Sequence, residues 1–192
     1  MSNPTTVVVA EDESLIRVDL VEMLTELGYE VLGSAGDGQT AVKLVKQLQP
    51  DVALVDIKMP QLDGLSVAEQ INQMGHTAVV MLTAFSQPEL IDRANNAGVM
   101  AFLVKPVSAT DLRPAIELAR SRYAEHVSLT TELGQLSAAL ESRKIVERAK
   151  GVLQQQYGLD EEASFKWLQR AAMDRRMSMV AVAEVVLRES KK

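Results

Sequence analysis

Between Val7 and Val104 the chain repeats one pattern: a short apolar run, then a helical stretch, and four of these runs end on polar side chains. Val7-Val8-Val9-Ala10 leads into Glu11-Asp12-Glu13, Val52-Ala53-Leu54-Val55 into Asp56, Val79-Val80-Met81-Leu82 into Thr83, and Ala101-Phe102-Leu103-Val104 into Lys105-Pro106. Strands are predicted near 6–10, 30–35, 51–55, 78–82 and 100–104, with helices near 14–27, 38–48, 65–74 and 87–97. Such alternation predicts an α/β fold with a doubly wound, five-stranded parallel sheet. The valine-rich strands lack a clear period of two, as expected where helices cover both faces. Gly28 and Gly98 read as helix stops, and Asp37-Gly38 and Gly64 as turns at helix starts.

Open α/β sheets bind ligands at the carboxyl ends of their strands. Parallel strands would bring three carboxylates, a hydroxyl and an ammonium to that edge. Glu11, Asp12 and Asp56 would repel one another unless a hard cation neutralised them, and oxygen ligands with retained waters suit Mg²⁺. A carboxylate can also act as a covalent acceptor, forming an aspartyl phosphate. Lys105 can meet a phosphate oxygen as a point charge, and Thr83 can donate a hydrogen bond to another. Taken singly, an acid after an apolar strand is an ordinary cap or turn residue. The agreement of four strand ends is what points to phosphoryl transfer.

Over about residues 5–122 the chain resembles the receiver domain of two-component response regulators. The resemblance is carried by Glu11-Asp12, Asp56 with Met59-Pro60 and Asp63-Gly64, Thr83-Ala84, and Lys105-Pro106. It implies a flavodoxin-like sheet in which Asp56 accepts a phosphoryl group from a sensor histidine kinase, assisted by Lys105 and Thr83. It also implies that Glu11, Asp12, Asp56 and the backbone carbonyl of Lys58 hold Mg²⁺, and that Thr83 and Phe102 occupy the switch positions. No enzymatic activity is expected beyond Mg²⁺-dependent self-phosphorylation and dephosphorylation at Asp56. Phe102 departs from the family in lacking the hydroxyl of the tyrosine often found there.

A receiver of roughly 120 residues within a chain of 192 leaves about 70 for a second element. With 47% apolar and 24% charged residues, the composition is that of a globular protein. Cysteine is absent, which excludes disulfides, a thiol nucleophile and cysteine-held zinc, and suits a reducing cytoplasm. No apolar stretch reaches the ~20 residues of a membrane helix. Met1-Ser2-Asn3-Pro4-Thr5-Thr6 lacks the basic start and apolar core of a signal peptide, so a soluble, cytoplasmic protein without a membrane partner is expected. Charge is uneven: residues up to Leu140 carry 9 Lys and Arg against 18 Asp and Glu, a net −9, whereas Glu141 onward carries 11 against 8, a net +3, together the chain's −6. A basic module on an acidic body suits a polyanion partner, although +3 alone also fits a solvated helical surface.

The expected organisation is a receiver over 1–122, a helical, coiled-coil-like linker over 123–140 and a small three-helix module over 141–192. Leu112, Ile116, Ala119 and Tyr123 form one apolar stripe, and Leu129, Leu133, Leu136 and Leu140 a second. The two are out of phase around His126, which predicts a hinge or stutter there, and Gly134 weakens the helix further. The second stripe falls short of the ~3–4 heptads of a secure coiled coil, so packing on its own domain competes with a phosphorylation-dependent homodimer. In the last module the predicted helices run from about Ser142 to Tyr157, from Asp160-Glu161-Glu162, and from about Ser178. Phe165, Leu168 and Ala172 are expected inward on the second, and Val182, Val186 and Leu187 on the third.

Helix-turn-helix DNA readers are also small, helical and basic, so three helices alone do not announce a function. The wording of the module resembles the ANTAR domain, through Arg148-Ala149-Lys150-Gly151-Val152-Leu153, then Glu162-Ala163-Ser164-Phe165-Lys166-Trp167-Leu168-Gln169-Arg170-Ala171-Ala172-Met173, then Met179 with Val182-Ala183. That resemblance covers about residues 137–188 and implies RNA binding in transcription antitermination. A small basic face suits hairpin loops, because duplex RNA hides its base edges in a deep, narrow groove. Lys144, Arg148, Lys150, Lys166, Arg170, Arg175 and Arg176 are the candidate phosphate contacts, and Gly151 a point of close backbone approach. Trp167 could stack a base, although a lone tryptophan at helical spacing is more often a core residue. The function expected is a kinase-controlled regulator that binds hairpins in nascent mRNA. The alternative is a receiver-controlled DNA-binding factor, which would read half-sites ~34–36 Å apart, and an adaptor would retain no nucleic acid.

Overall fold

The computed structural model describes residues 4–84, 93 and 97–190. Its strands are β1 (Thr6–Ala10), β2 (Glu30–Ala35), β3 (Val52–Asp56), β4 (Ala78–Thr83) and β5 (Val99–Val104). Its helices are α1 (Ser14–Glu26), α2 (Gly38–Leu48), α3 (Gly64–Met74), α4 (Ala109–Tyr157), α5 (Glu161–Arg175) and α6 (Met179–Glu189). The helix expected near 87–97 lies outside the described residues except for Arg93 and Ala97, as do the first three residues of the N-terminal stretch. The chain divides into two compact units, Met1–Ser128 and Leu129–Lys192.

In the first unit the strands lie parallel in the order β2-β1-β3-β4-β5, as the doubly wound reading requires. The chain winds one way from β1 to β2 and the other way from β3 onward, which makes the β1/β3 junction the switch point where such sheets bind ligands. Register then places the site. Ala10 pairs with Val55, Asp56 with Leu82, and Thr83 with Val104. Glu11, Asp56, Thr83 and Lys105 consequently stand at the carboxyl ends of four adjacent strands. Both faces of the sheet are apolar. Val8, Val55, Val79 and Met81 pack with Val45, Val67 and Ile71 on one side. Val9, Leu54, Val80 and Leu82 pack with Leu20, Leu24, Leu112 and Ile116 on the other.

Two helices that frame the site start on aspartate caps. Asp37 accepts from the Thr40 amide at 2.8 Å and Asp63 from the Ser66 amide at 3.0 Å, each satisfying an amide that the first turn leaves unpaired.

Four expectations about the C-terminal half are corrected. No hinge interrupts α4 at His126, and no separate helix begins at Ser142: one helix of 49 residues runs from Ala109 to Tyr157. A lone Gly134 costs about 1 kcal/mol, which a run rich in alanine, leucine, glutamate and arginine absorbs. Leu129, Leu133, Leu136 and Leu140 are 54%, 67%, 57% and 58% exposed, so the second stripe does not bury itself on its own domain. In the second unit, Ala149, Leu153, Leu168, Ala172, Val182 and Ala183 make the core. Phe165 is not part of it and is 42% exposed. The inward position is taken by Ser164, whose hydroxyl donates to the Asp160 carbonyl at 2.8 Å and can therefore be buried without penalty. Trp167 likewise lies outside the core.

Candidate functional site

β1 delivers Glu11 and β3 delivers Asp56 side by side. The Glu11 amide continues the sheet by donating to the Ala35 carbonyl at 3.0 Å, which fixes its backbone. Glu11 is fully buried, Asp56 nearly so, and Asp12 is exposed; carboxylate oxygens of the three lie within 4.8 Å of one another. From the end of β5, the Lys105 ammonium reaches 2.6 Å from Glu11 Oε2 and 3.2 Å from Asp56 Oδ2. Its amide donates to the Thr83 carbonyl at 2.8 Å, coupling the ends of β4 and β5. Thr83 is buried at the same edge, and Phe102, two residues before Val104 on β5, is half-buried against the core.

Electrostatics set the state of this cluster. Burial pushes the Glu11 carboxyl above its usual range, the Lys105 contact opposes this, and the Asp56 charge adds to it. Asp56 is also raised, by burial first, against the pull of Lys105. For Lys105, burial alone would lower the ammonium, but the contacts with Glu11 and Asp56 outweigh it and raise it. One ammonium therefore serves both buried acids, and for each of them burial beats pairing. Glu11 Oε2 has the Lys105 ammonium 2.6 Å away but no hydrogen-bond partner among the described residues. A buried oxygen in that condition, in an all-oxygen donor set with excess negative charge, fits a hard divalent cation.

Backbone packing holds Asp56 in place. A β carbon at Gly64 would lie 2.0 Å from the Asp56 carbonyl oxygen, so the start of α3 can rest on β3 only with glycine there. A β carbon at Gly38 would similarly lie 2.1 Å from the Leu62 carbonyl oxygen. Asp12, Lys58, Met59, Pro60, Asp63 and Arg93 help to line an open cleft of about 570 Å³ beside Asp56, with Lys58 exposed at its edge. Sequence reading missed Arg17. Its Nη1 donates to the Glu11 carbonyl at 2.5 Å and sits 3.4 Å from that of Asp12, tying α1 to the acidic loop. An arginine six residues after Glu11 carries no motif, so only the contact reveals it. Arg93 was missed for the same reason.

The basic residues of the second unit separate into two groups. The Lys150 side chain is nearly buried, held 3.0 Å from both Glu147 and Glu161, whose hydrogen bonds raise its pKa. That lysine joins α4 to α5 and is committed inside the protein. Lys144 pairs with Glu141 at 2.7 Å and Lys166 with Glu162 at 2.6 Å, both on the surface. Arg148, Arg170, Arg175 and Arg176 are exposed and make no ion pair among the described residues. Gly151 is half-buried, and a β carbon there would meet nothing within 4 Å.

Residues 7–117 match the response regulator receiver domain family, and residues 134–187 match the ANTAR domain family. The transcriptional regulatory protein PdtaR of Mycobacterium tuberculosis is 56% identical over 184 residues, covering 96% of this chain and 90% of that protein. Among solved structures, the receiver domain of the response regulator NarL from Mycobacterium tuberculosis superposes with a TM-score of 0.60 at 32% identity, covering 62% of this chain and 98% of that one. The CheX–CheY–BeF₃–Mg²⁺ complex from Borrelia burgdorferi matches with a TM-score of 0.57 at 25% identity, covering 59% of this chain and 87% of that one.

Proposed function

The chain belongs to the response regulator family, with a receiver domain and a C-terminal ANTAR domain, and from that premise we propose a kinase-controlled switch in which Asp56 is the phosphoacceptor and the second unit binds hairpins in nascent mRNA. The observation that carries the reading is the convergence of Glu11, Asp12 and Asp56 within 4.8 Å, with Lys105 on two of them. An Asp56 oxygen attacks the phosphorus of a phosphohistidine on the sensor kinase. The P–N bond breaks, its electrons return to the imidazole, and an acyl phosphate remains on Asp56. Glu11, Asp12, Asp56 and the Lys58 carbonyl would hold Mg²⁺, which when bound neutralises charge on phosphoryl oxygens, as the Mg²⁺ and BeF₃ of the Borrelia complex suggest.

The Lys105 ammonium, 3.2 Å from Asp56 Oδ2, would swing to pair with a phosphoryl oxygen. The Thr83 hydroxyl donates to another, and because β4 and β5 are coupled through the Lys105 amide, its movement reaches Phe102. Residues 123–140 form the connecting segment, and pairing of the exposed leucines there would bring two RNA-binding units together. The ANTAR match at 134–187 favours RNA over a DNA-binding output. Chemistry outside Asp56 is not part of this role, and the expected setting is the cytoplasm; among the described residues no helix is long and apolar enough to cross a membrane.

The test is direct. Treated with a small phosphodonor and Mg²⁺, the protein should acquire a hydroxylamine-sensitive phosphate and retain a hairpin RNA on a filter. The Asp56→Asn variant should acquire no phosphate. A labelled Asp56→Asn protein would remove Asp56 from the acceptor role, and preference for duplex DNA would remove the RNA output.

A further inference from the structure

The second unit contains a cleft that phosphoryl transfer does not use. Leu153 and Tyr157 from the end of α4, Leu159 from the turn after it, Trp167 and Arg175 from α5, and Val186 from α6 line a space of about 330 Å³. Leu153 is nearly buried, and Leu159 and Val186 are half-buried against the small core, so the floor is apolar. The sides differ. Tyr157 is 68% exposed and Trp167 45% exposed, the latter the single tryptophan of the chain. Trp167, Ala171 and Arg175 follow one another at intervals of four on α5, and so share one side of the helix.

Gln156 and Glu189 add hydrogen-bonding groups to this rim. Arg175 and Glu189 cancel in charge, so the cleft itself favours an uncharged guest, while Arg170 and Arg176 lie exposed nearby in sequence for a polyanion backbone. An aliphatic side chain from a protein partner would use the floor alone and leave the aromatic faces and polar rim unused. A heteroaromatic ring uses all three: stacking on the aromatic and guanidinium faces, and hydrogen bonds along its edge. The volume lies at the low end of small-molecule sites, which suits one ring system.

We propose that this cleft receives a single unstacked nucleobase from the loop of an RNA hairpin. The proposal rests on the RNA-binding reading and deepens it by assigning where a base, as distinct from the backbone, is held. Glu189 is an acceptor only, so it takes hydrogen bonds from base N–H groups; guanine, whose N1–H and amino group lie side by side, can meet both carboxylate oxygens, whereas uracil offers one N3–H between two carbonyl oxygens that a carboxylate repels.

Because Trp167 is the only tryptophan, its emission in the full-length phosphorylated protein reports on the cleft. A hairpin RNA with a randomised loop is expected to quench it, and a blunt RNA duplex with the same stem to leave it unchanged. An all-uridine loop should bind more weakly. Trp167→Ala should weaken binding of the randomised hairpin roughly five- to hundredfold, the worth of one stacked base, and Trp167→Phe much less. Tyr157→Ala supplies a second variant, and circular dichroism checks that each is helical. Hairpin binding with unchanged emission, undiminished by either alanine variant, overturns the cleft assignment and leaves the RNA reading standing. Failure of the parent protein to retain any hairpin overturns both. Emission that changes with protein concentration in the absence of RNA assigns the cleft to a second copy of the chain and overturns the proposal.

Discussion

Gly64 and the carbonyl oxygen of Asp56 are so closely apposed that no side chain fits between them, since a β carbon at position 64 would sit 2.0 Å from that oxygen. Asp56 is thus positioned by the α3 turn as much as by its own strand. The Gly64 amide reinforces the contact by donating to the Ile57 carbonyl at 2.9 Å.

Gly64→Ala should therefore push α3 away from β3. A loss of roughly 1–3 kcal/mol is expected from the overpacking, together with slower labelling of Asp56 by a small phosphodonor. Denaturant melts and labelling rates measured on the same preparation check both effects. An unchanged midpoint would mean that the turn yields freely.

Lys105→Ala should leave two buried carboxylates without their cation. Breaking a buried ion pair by removing one partner costs about 3–5 kcal/mol. Added Mg²⁺, which the carboxylates of Glu11, Asp12 and Asp56 would hold, should restore much of the stability but not the phosphorylation rate. Thermal melts in chelator and in Mg²⁺ separate the two roles.

The raised Glu11 carboxyl makes a pH prediction whose sign is fixed. The folded state holds this proton more tightly than the unfolded chain, so ionisation opposes folding as pH rises from about 4 through the folded value. In chelator, Glu11→Gln should melt above the parent at pH 7, and the advantage should vanish near pH 4. Lys105 behaves oppositely at the other end of the scale. Its raised value contributes stability at neutral pH that is lost as pH rises through the folded value, in the alkaline range.

The exposed leucines of α4 predict self-association. Light scattering should find more dimer in the presence of a beryllium fluoride phosphoryl analogue than without it. Leu133→Asp combined with Leu136→Asp should abolish that dimer and spare phosphorylation. Monomers under both conditions, at concentrations where RNA still binds, would leave release of the second unit as the switch.

Among the basic residues, Lys150 should behave unlike the arginines. Lys150→Ala removes the pairing with both Glu147 and Glu161 and should lower the melting temperature without altering the salt dependence of RNA binding. Arg148→Gln and Arg170→Gln should instead each reduce the log–log salt slope, by roughly 0.7–0.9 for every RNA phosphate left unneutralised.

Much of the receiver can be read directly from the chain. Apolar runs of strand length, separated by helical patterns, leave few arrangements other than a parallel sheet covered on both faces. Within such a sheet the residue after each run must fall at the carboxyl edge, so Glu11, Asp56, Thr83 and Lys105 are identifiable from sequence. The chemistry of carboxylate, hydroxyl and ammonium points to a divalent cation and a phosphoryl group there, while the individual roles rest on the receiver resemblance. Other features depend on contacts between residues far apart in sequence, or on which of two adjacent residues faces inward. Nothing local marks Arg17 as the tie between α1 and the acidic loop, because its partners are backbone carbonyls. Periodicity cannot decide between Ser164 and Phe165, because one helical step separates them and a hydrogen bond to Asp160 allows the serine inside. The same ambiguity puts Trp167 in the expected core, whereas packing leaves it on the rim of a cleft. The phase slip near His126 predicts a hinge or a stutter, and α4 runs through it unbroken, because an apolar stripe can change direction within a helix when the residues between remain good helix formers. Sequence determined which chemical groups meet at the sheet edge; tertiary packing decided which side chains remain free to meet anything else, because burial depends on neighbours that the chain supplies only once it has folded.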